Sequence, residues 1–215
     1  MNWDWSNVAD FMPQFWDGVL VTLQALVWGA IIAFALGLVW AIAQRSEQKW
    51  ISWPVTVVTE FIRNTPLLVQ LFFLFYVVPS WGISMSPLVT GIVGLGLHYS
   101  TYTSEVYRAG IEGVPVGQWE AAKALNLPKG RTWRAVILPQ AVRRVIPALG
   151  NYVIVMLKES PQIMAIGALD MLGEAQGFSQ TTFTYEAISI VGVAFIVIAY
   201  PASLLLRVLE RRLVR

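Results

Sequence analysis

The chain is predicted to be an all-α, polytopic membrane protein with five transmembrane helices, N-terminus outside and C-terminus inside. Three observations lead there: an excess of apolar residues, five long apolar runs, and a one-sided placement of basic residues. Of 215 residues, 56% are hydrophobic and 13% charged, with a mean hydropathy of +0.60. Soluble domains carry about a quarter charged residues. A helix needs about 20 predominantly apolar residues to cross the hydrocarbon, and lipid tolerates no unsatisfied backbone, so each long apolar run reads as a helix. The chain has no cysteine and one histidine. That excludes disulfides, thiolate metal sites and thiol nucleophiles, and leaves no zinc motif; no metal or cofactor is expected.

Taken in order, residues 1–17 place Val8, Phe11, Met12, Phe15 and Trp16 at helical spacing opposite polar residues, which predicts an outer interfacial helix. No positive region precedes the first apolar run, so this is not a cleaved signal peptide and the first span, 19–43, stays in the protein. The second span, 53–78, is interrupted by Glu60, Arg63 and Pro66. Pro66 cannot donate to the Ile62 carbonyl, so a break is expected there, with Arg63, Asn64 and Thr65 beside it. The third span, 88–113, is polar in its inner half. The fourth, 147–172, is broken by Lys158-Glu159-Ser160-Pro161, and the fifth, 188–206, carries no charge.

Orientation follows from the basic residues, because cytoplasmic loops hold the excess of Lys and Arg. With the N-terminus outside, thirteen of the fifteen (Arg45, Lys49, Arg108, Lys123, Lys129, Arg131, Arg134, Arg143, Arg144, Arg207, Arg211, Arg212 and Arg215) fall inside, and Arg63 and Lys158 lie within spans. None falls in an outer segment. The net charge of +2 therefore follows from topology and implies no nucleic-acid partner.

The inner loop, 115–139, is punctuated as helix, turn, helix. Gln118 to Leu125 forms helix, Asn126 takes the left-handed conformation that ends one, and Pro128 prevents continuation. A second helix is expected from Gly130 and Arg131 toward Pro139. Ala121, Ala122 and Ala124 would let a partner approach closely, and Glu120 offers a charged acceptor. On residues alone, an ordinary amphipathic loop helix and a docking helix stay equally open.

Ionisable groups at bilayer depth face an interior or a cavity, and so point to a pathway. His98, Thr101, Tyr102, Glu105 and Arg108 share one face of the third span. His98, near mid-membrane, either donates to a solute carboxylate or bonds a neighbouring helix; Glu105 and Arg108 read as an internal pair. Gln70 reads equally as a solute contact or as inter-helix glue. Lys158 and Glu159 point about 100° apart and cannot pair along the helix. A zwitterionic solute, or neighbouring spans, would supply a partner for each. Trp3, Trp5, Trp16, Trp50, Trp53 and Trp81 fall at span ends, as an interfacial belt requires.

The loop carries Glu120-Ala121-Ala122 with Ile137-Leu138-Pro139, and six motifs in order extend the resemblance over nearly the whole chain: Thr22-Leu23 after Gly18; Arg63-Asn64-Thr65-Pro66 followed by Gln70; Glu105-Val106-Tyr107-Arg108-Ala109-Gly110; Val114-Pro115-Val116-Gly117-Gln118; Leu138-Pro139-Gln140-Ala141-Val142-Arg143; and Leu157-Lys158-Glu159-Ser160. Together they resemble the permeases of ATP-binding-cassette (ABC) importers, in the branch that takes up polar amino acids. Asn126 stands where that family has Gly, and Pro161 is a further departure. The run from His98 to Glu105 is also similar to permeases for ectoine and hydroxyectoine.

The resemblance implies one transmembrane domain, 1–215, of type I importer architecture in a bacterial inner membrane. It implies a non-catalytic subunit working with a cytoplasmic ATP-binding subunit dimer, a second permease (the same chain or a related one) and an extracytoplasmic solute-binding protein. It puts Gly117, Glu120, Ala121, Ala122 and Asn126 at the ATPase. Arg63, Thr65, Gln70, His98, Tyr102, Glu105, Lys158 and Glu159 are the candidate pathway for a small polar solute. The chain has no G-x-x-x-x-G-K-[ST] loop, so the motor would be a separate polypeptide. The alternative is a secondary transporter or channel relaying protons or ions through His98, Glu105 and Glu159; it predicts an inverted repeat, which five spans cannot form as equal halves. An intramembrane enzyme would need a G-x-S-x-G, an Asp dyad or a metal cluster, and the chain has none.

Overall fold

A computed structural model describes residues 3–213, and every regular element among them is helical. Helix α1, Trp5–Gln44, starts where the Asp4 carboxylate accepts from Ser6 N at 2.8 Å. It runs 40 residues without interruption, about 60 Å. From Trp5 onward the segment expected as an outer interfacial helix, 1–17, is continuous with the first span. Phe11 and Phe15 explain why, since they are buried against Met171, Ala175, Ala187 and Val191 of α8 (Met171–Thr182) and α9 (Glu186–Leu213). Packing, not an interface, holds the apolar face.

Further along, α1 is lined by Ala25, Gly29, Ala33, Gly37 and Ala41, all buried. These small side chains let α4, Pro87–Glu112, approach backbone to backbone. A Cβ on Gly37 would land on Thr103 Oγ1. The seam is also stitched by polar bonds: Thr103 Oγ1 donates to Ala33 O at 2.7 Å, Trp40 Nε1 to Ser100 Oγ at 3.0 Å, and Tyr107 OH to Phe34 O at 3.2 Å. Around it lies the main core, which includes Leu67, Leu71, Leu95, Tyr99, Met156 and Ile163.

Between these two helices the chain turns sharply. Helix α2, Lys49–Arg63, ends at Asn64, and α3, Leu67–Phe72, restarts after Pro66, the direction changing by 103°. The break expected at Pro66 is thus nearly a right angle. After α4, the loop helix α5 spans Val116–Ala124. The second loop helix, α6, starts at Lys129 and passes through a wide turn at Thr132–Ile137 into α7, Leu138–Glu159. It does not stop at Pro139, because proline in the first turn of a helix sacrifices no hydrogen bond. At Pro161 the helix tightens to a 3-10 turn, Ser160–Ile166, closed by Gly167 in the left-handed region (φ +85°). Asp170 then caps α8 by accepting from Gly173 N at 2.9 Å, and the direction changes by 49°.

By length and apolarity, α1 and α9 can each cross a bilayer, and four spans result if each bent pair counts as one. Helix α4 has the length, at 26 residues, but its run from His98 to Arg108 lowers its apolarity.

Candidate functional site

The polar face of α4 meets the break between α2 and α3. Gln70, on α3, turns its side-chain nitrogen back toward two carbonyls that the break exposes, Ile62 O at 2.6 Å and Thr65 O at 2.9 Å. Two carbonyls at that distance require the amide nitrogen there, which fixes the orientation of the group. The same nitrogen faces His98 Nδ1 at 3.0 Å, so a neutral His98 carries its proton on Nε2. His98 is buried, and its partner here is a neighbouring helix, one of its two expected roles.

Charge gathers one layer away. Arg63 sits 3.2 Å from Glu105 and also contacts Glu60, while Arg108 donates to Glu105 at 3.1 Å. Glu105 therefore bridges two guanidinium groups, and its pairing with Arg108 is as expected. Tyr102 OH donates to Arg63 O at 3.3 Å. The Tyr102 ring stacks beside His98, Tyr99 and Tyr152, with centroids 5.2 to 5.8 Å apart. Glu159, half-buried at the end of α7, lies beside the Tyr99 hydroxyl.

One constellation thus joins Arg63, Gln70, His98, Tyr102, Glu105 and Glu159, with Thr65 contributing its carbonyl. Lys158 does not join it: its side chain is exposed on the opposite side of α7 and has no ion-pair partner among the described residues. The helical 100° offset that separates it from Glu159 sends one residue inward and the other outward. Sequence reasoning missed Glu60, Tyr99 and Tyr152. Glu60 stood three residues before Arg63, at ion-pairing distance on a helix, and Tyr152 stood two turns before Glu159 on the same face. Counting three carboxylates (Glu60, Glu105, Glu159) against two guanidinium groups (Arg63, Arg108) leaves one negative charge over.

The loop is the second candidate. Trp119 packs edge-on against Trp133 at 5.3 Å over a small core of Val114, Ile137 and Ala141. Arg45, from the end of α1, covers Trp133 at 6.0 Å. So held, α5 turns Gly117, Glu120 and Ala121 outward, but Ala122 is only 3% exposed and faces its own chain. Its carbonyl accepts from Leu127 N at 3.0 Å, while Asn126 N donates to Lys123 O at 2.9 Å. With Asn126 at φ 51°, these two bonds complete a Schellman end in which Asn does what Gly usually does.

The family described as binding-protein-dependent transport system inner membrane component matches residues 13–215. The "Probable amino-acid ABC transporter permease protein" of Sinorhizobium fredii is 43% identical, covering 97% of this chain and 93% of that one. The arginine transport system permease protein of Bacillus subtilis is 32% identical over 99% and 98%. Among solved structures, an amino acid ABC transporter crystallised with histidines superposes with a TM-score of 0.93 at 35% identity, covering 99% of this chain and 100% of that one. The inward-facing MetNI methionine ABC transporter shares the fold at a TM-score of 0.81 and 19% identity, over 96% and 99%.

Proposed function

We propose, from the premise that the chain belongs to the family of binding-protein-dependent transport system inner membrane components, that α5 is its ATPase-coupling helix and that the α2–α4–α7 constellation lines its solute pathway. The chain is the permease subunit of an ABC importer for amino acids, a transport component in a system that also includes an ATP-binding subunit and a substrate-binding protein. Its fold is the helical one of type I importers. The finer reading is five spans, N-out and C-in, with the bent pairs each counted once and α4 as the fifth, shielded by α1. Two permeases, either copies of this chain or this chain with a relative, enclose the pathway.

The exposure of Glu120 and Ala121 on a helix clamped by Trp119 carries the coupling proposal. A rigid helix with an outward carboxylate can transmit movement; a frayed loop cannot. Through Gly113 and Pro115 it joins directly to α4, which carries His98, Tyr102 and Glu105. Closure of the ATPase would thus rock the helix that faces the solute. The solute proposed is a small zwitterion of the polar amino-acid class, whose ammonium group matches the surplus carboxylate, with Arg63 as the candidate for its carboxylate. Ectoine or hydroxyectoine is the finer candidate, supported by the wording of residues 98–105 alone.

Glu120→Lys tests the coupling: the complex is expected to assemble while solute-stimulated ATP hydrolysis in liposomes falls about tenfold or more, the equivalent of about 1.4 kcal/mol. Full stimulation in that variant would remove α5 from the coupling path. In the same assay Glu159→Gln, which keeps the shape and loses the charge, should weaken uptake without affecting assembly.

A further inference from the structure

The inner ends of α7 and α9 diverge around a cavity of about 920 Å³. Arg143 and Arg144 line it from α7 and Arg207 from α9, with Asn151 and Ser203 at its deeper end. One carboxylate, Glu210, also lines it. No carboxylate lies within 4.0 Å of any of the three arginines among the described residues. Arg144 is partly occupied elsewhere, its guanidinium lying against Gly113 at the C-terminus of α4, where a cation is favoured. Arg143 and Arg207 are exposed and otherwise uncommitted.

Three cations against one anion make the cavity a receptor for a singly or doubly charged anion, and Arg favours phosphate because its planar fork can bind two oxygens at once. The flanks of the two helices point to the source of that phosphate. Outside the cavity, Val142 and Ile146 on α7 and Leu205 and Leu209 on α9 are all at least 40% exposed. A soluble anion would gain nothing from them. An acyl chain would cover them, and the packing of Leu206 against Ile154, Leu157 and Ala199 closes the groove further in.

We propose that this cavity holds the phosphate of an anionic phospholipid of the inner leaflet, gripped by Arg143 and Arg207, with its acyl chains along the apolar flanks of α7 and α9. The inference rests on the orientation proposed above, which places these helix ends at the cytoplasmic surface, where basic pockets meet anionic headgroups.

Native mass spectrometry of the full chain, exchanged with phosphatidylglycerol or phosphatidylcholine, is the test. Phosphatidylglycerol should be retained preferentially, and the double variant Arg143→Gln, Arg207→Gln should weaken it by about thirty-fold, from roughly 1 kcal/mol per arginine. The Lys, Lys variant, which keeps the charge, should retain most of the preference and shows that a loss is not misfolding. Equal retention of the two lipids by the unsubstituted chain overturns the proposal. So does displacement of phosphatidylglycerol by millimolar inorganic phosphate, which would assign the site to a soluble anion. Because the chain has no cysteine, Gly130→Cys with an impermeant maleimide reads orientation separately. Labelling from outside would overturn the orientation and the inner-leaflet assignment together, whatever the lipid preference.

Discussion

Between α2 and α3 the chain turns by 103° at Pro66, and between the helical run that ends at Ile166 and α8 it turns by 49° across residues 167–170. Both breaks free backbone groups in a setting without water, yet they satisfy them by different means. At Pro66 the carbonyls of Ile62 and Thr65 are met by the side chain of Gln70, and that of Arg63 by Tyr102 from α4. In the second break, Gly167 N reaches Met164 O at 2.9 Å and Ala168 N reaches Ile163 O at 3.3 Å, all within the turn, while Ile163 and Ile166 fill the core. The second break is closed mostly by bonds within its own turn and by Asp170, with one bond from afar, Met171 N donating to Thr22 Oγ1 of α1 at 3.2 Å. The first is held by remote side chains, so it ties three helices together and brings Arg63 and Glu105 within 3.2 Å. A break that depends on its neighbours can respond to them, which supports the pathway proposed at Pro66.

The strongest way to break this comparison is Gln70→Leu, which keeps the bulk and strands the Thr65 carbonyl and His98 Nδ1, while Ile62 O keeps its bond from Thr65 N at 3.2 Å. It should cost about 3 kcal/mol, from 1 to 3 kcal/mol per buried unsatisfied group, read as thermal unfolding in detergent. A loss below about 1 kcal/mol would mean that the break does not need its remote partner. Next in size is Asp170→Ala, which removes the cap on Gly173 N and should cost about 1.5 kcal/mol, with Asp170→Asn close to the unsubstituted chain. If Asp170→Ala costs more than Gln70→Leu, the two breaks have been ranked in the wrong order. The smallest effect is expected from Gly167→Ala. Nothing but Pro87 Cγ, at 4.0 Å, lies near a Cβ there, so only the left-handed backbone is penalised, at about 1 kcal/mol. A much larger loss would reveal packing around the second break that its geometry does not show.

The break at Pro66 was legible in the sequence because proline acts locally, and so was the left-handed Asn126, since Asn followed by Leu and Pro leaves a helix few alternatives; the second break was expected at Pro161 and lies a few residues later, at 167–170. What was not legible depended on partners distant in sequence. Residues 5–17 carry an amphipathic pattern that suits a membrane surface or a protein core equally well, and only α8 and α9 decide it. Ala122 and its outward neighbours are the same kind of small residue, so composition could not say which one the Trp119–Trp133 clamp would bury. Helical phase separates Lys158 from Glu159, but the sequence does not reveal which of the two faces α4. His98 was found at once because an ionisable group in an apolar run stands out. Tyr99 and Tyr152 were missed because tyrosine in a membrane helix usually marks an interface.

The seam between α1 and α4 also bears on how the protein is made. Helix α1 is apolar enough to settle in the bilayer alone, whereas α4 brings His98, Glu105 and Arg108 into it, each disfavoured there by up to about 3 kcal/mol. The small-residue groove of α1, with the carbonyls of Ala33 and Phe34 ready to accept from Thr103 and Tyr107, offers α4 a prepared berth. On the proposed five-span reading, α1 would offset part of the cost of placing α4 in the bilayer. An insertion reporter carrying residues 87–112 should integrate poorly alone and better when residues 5–44 precede it.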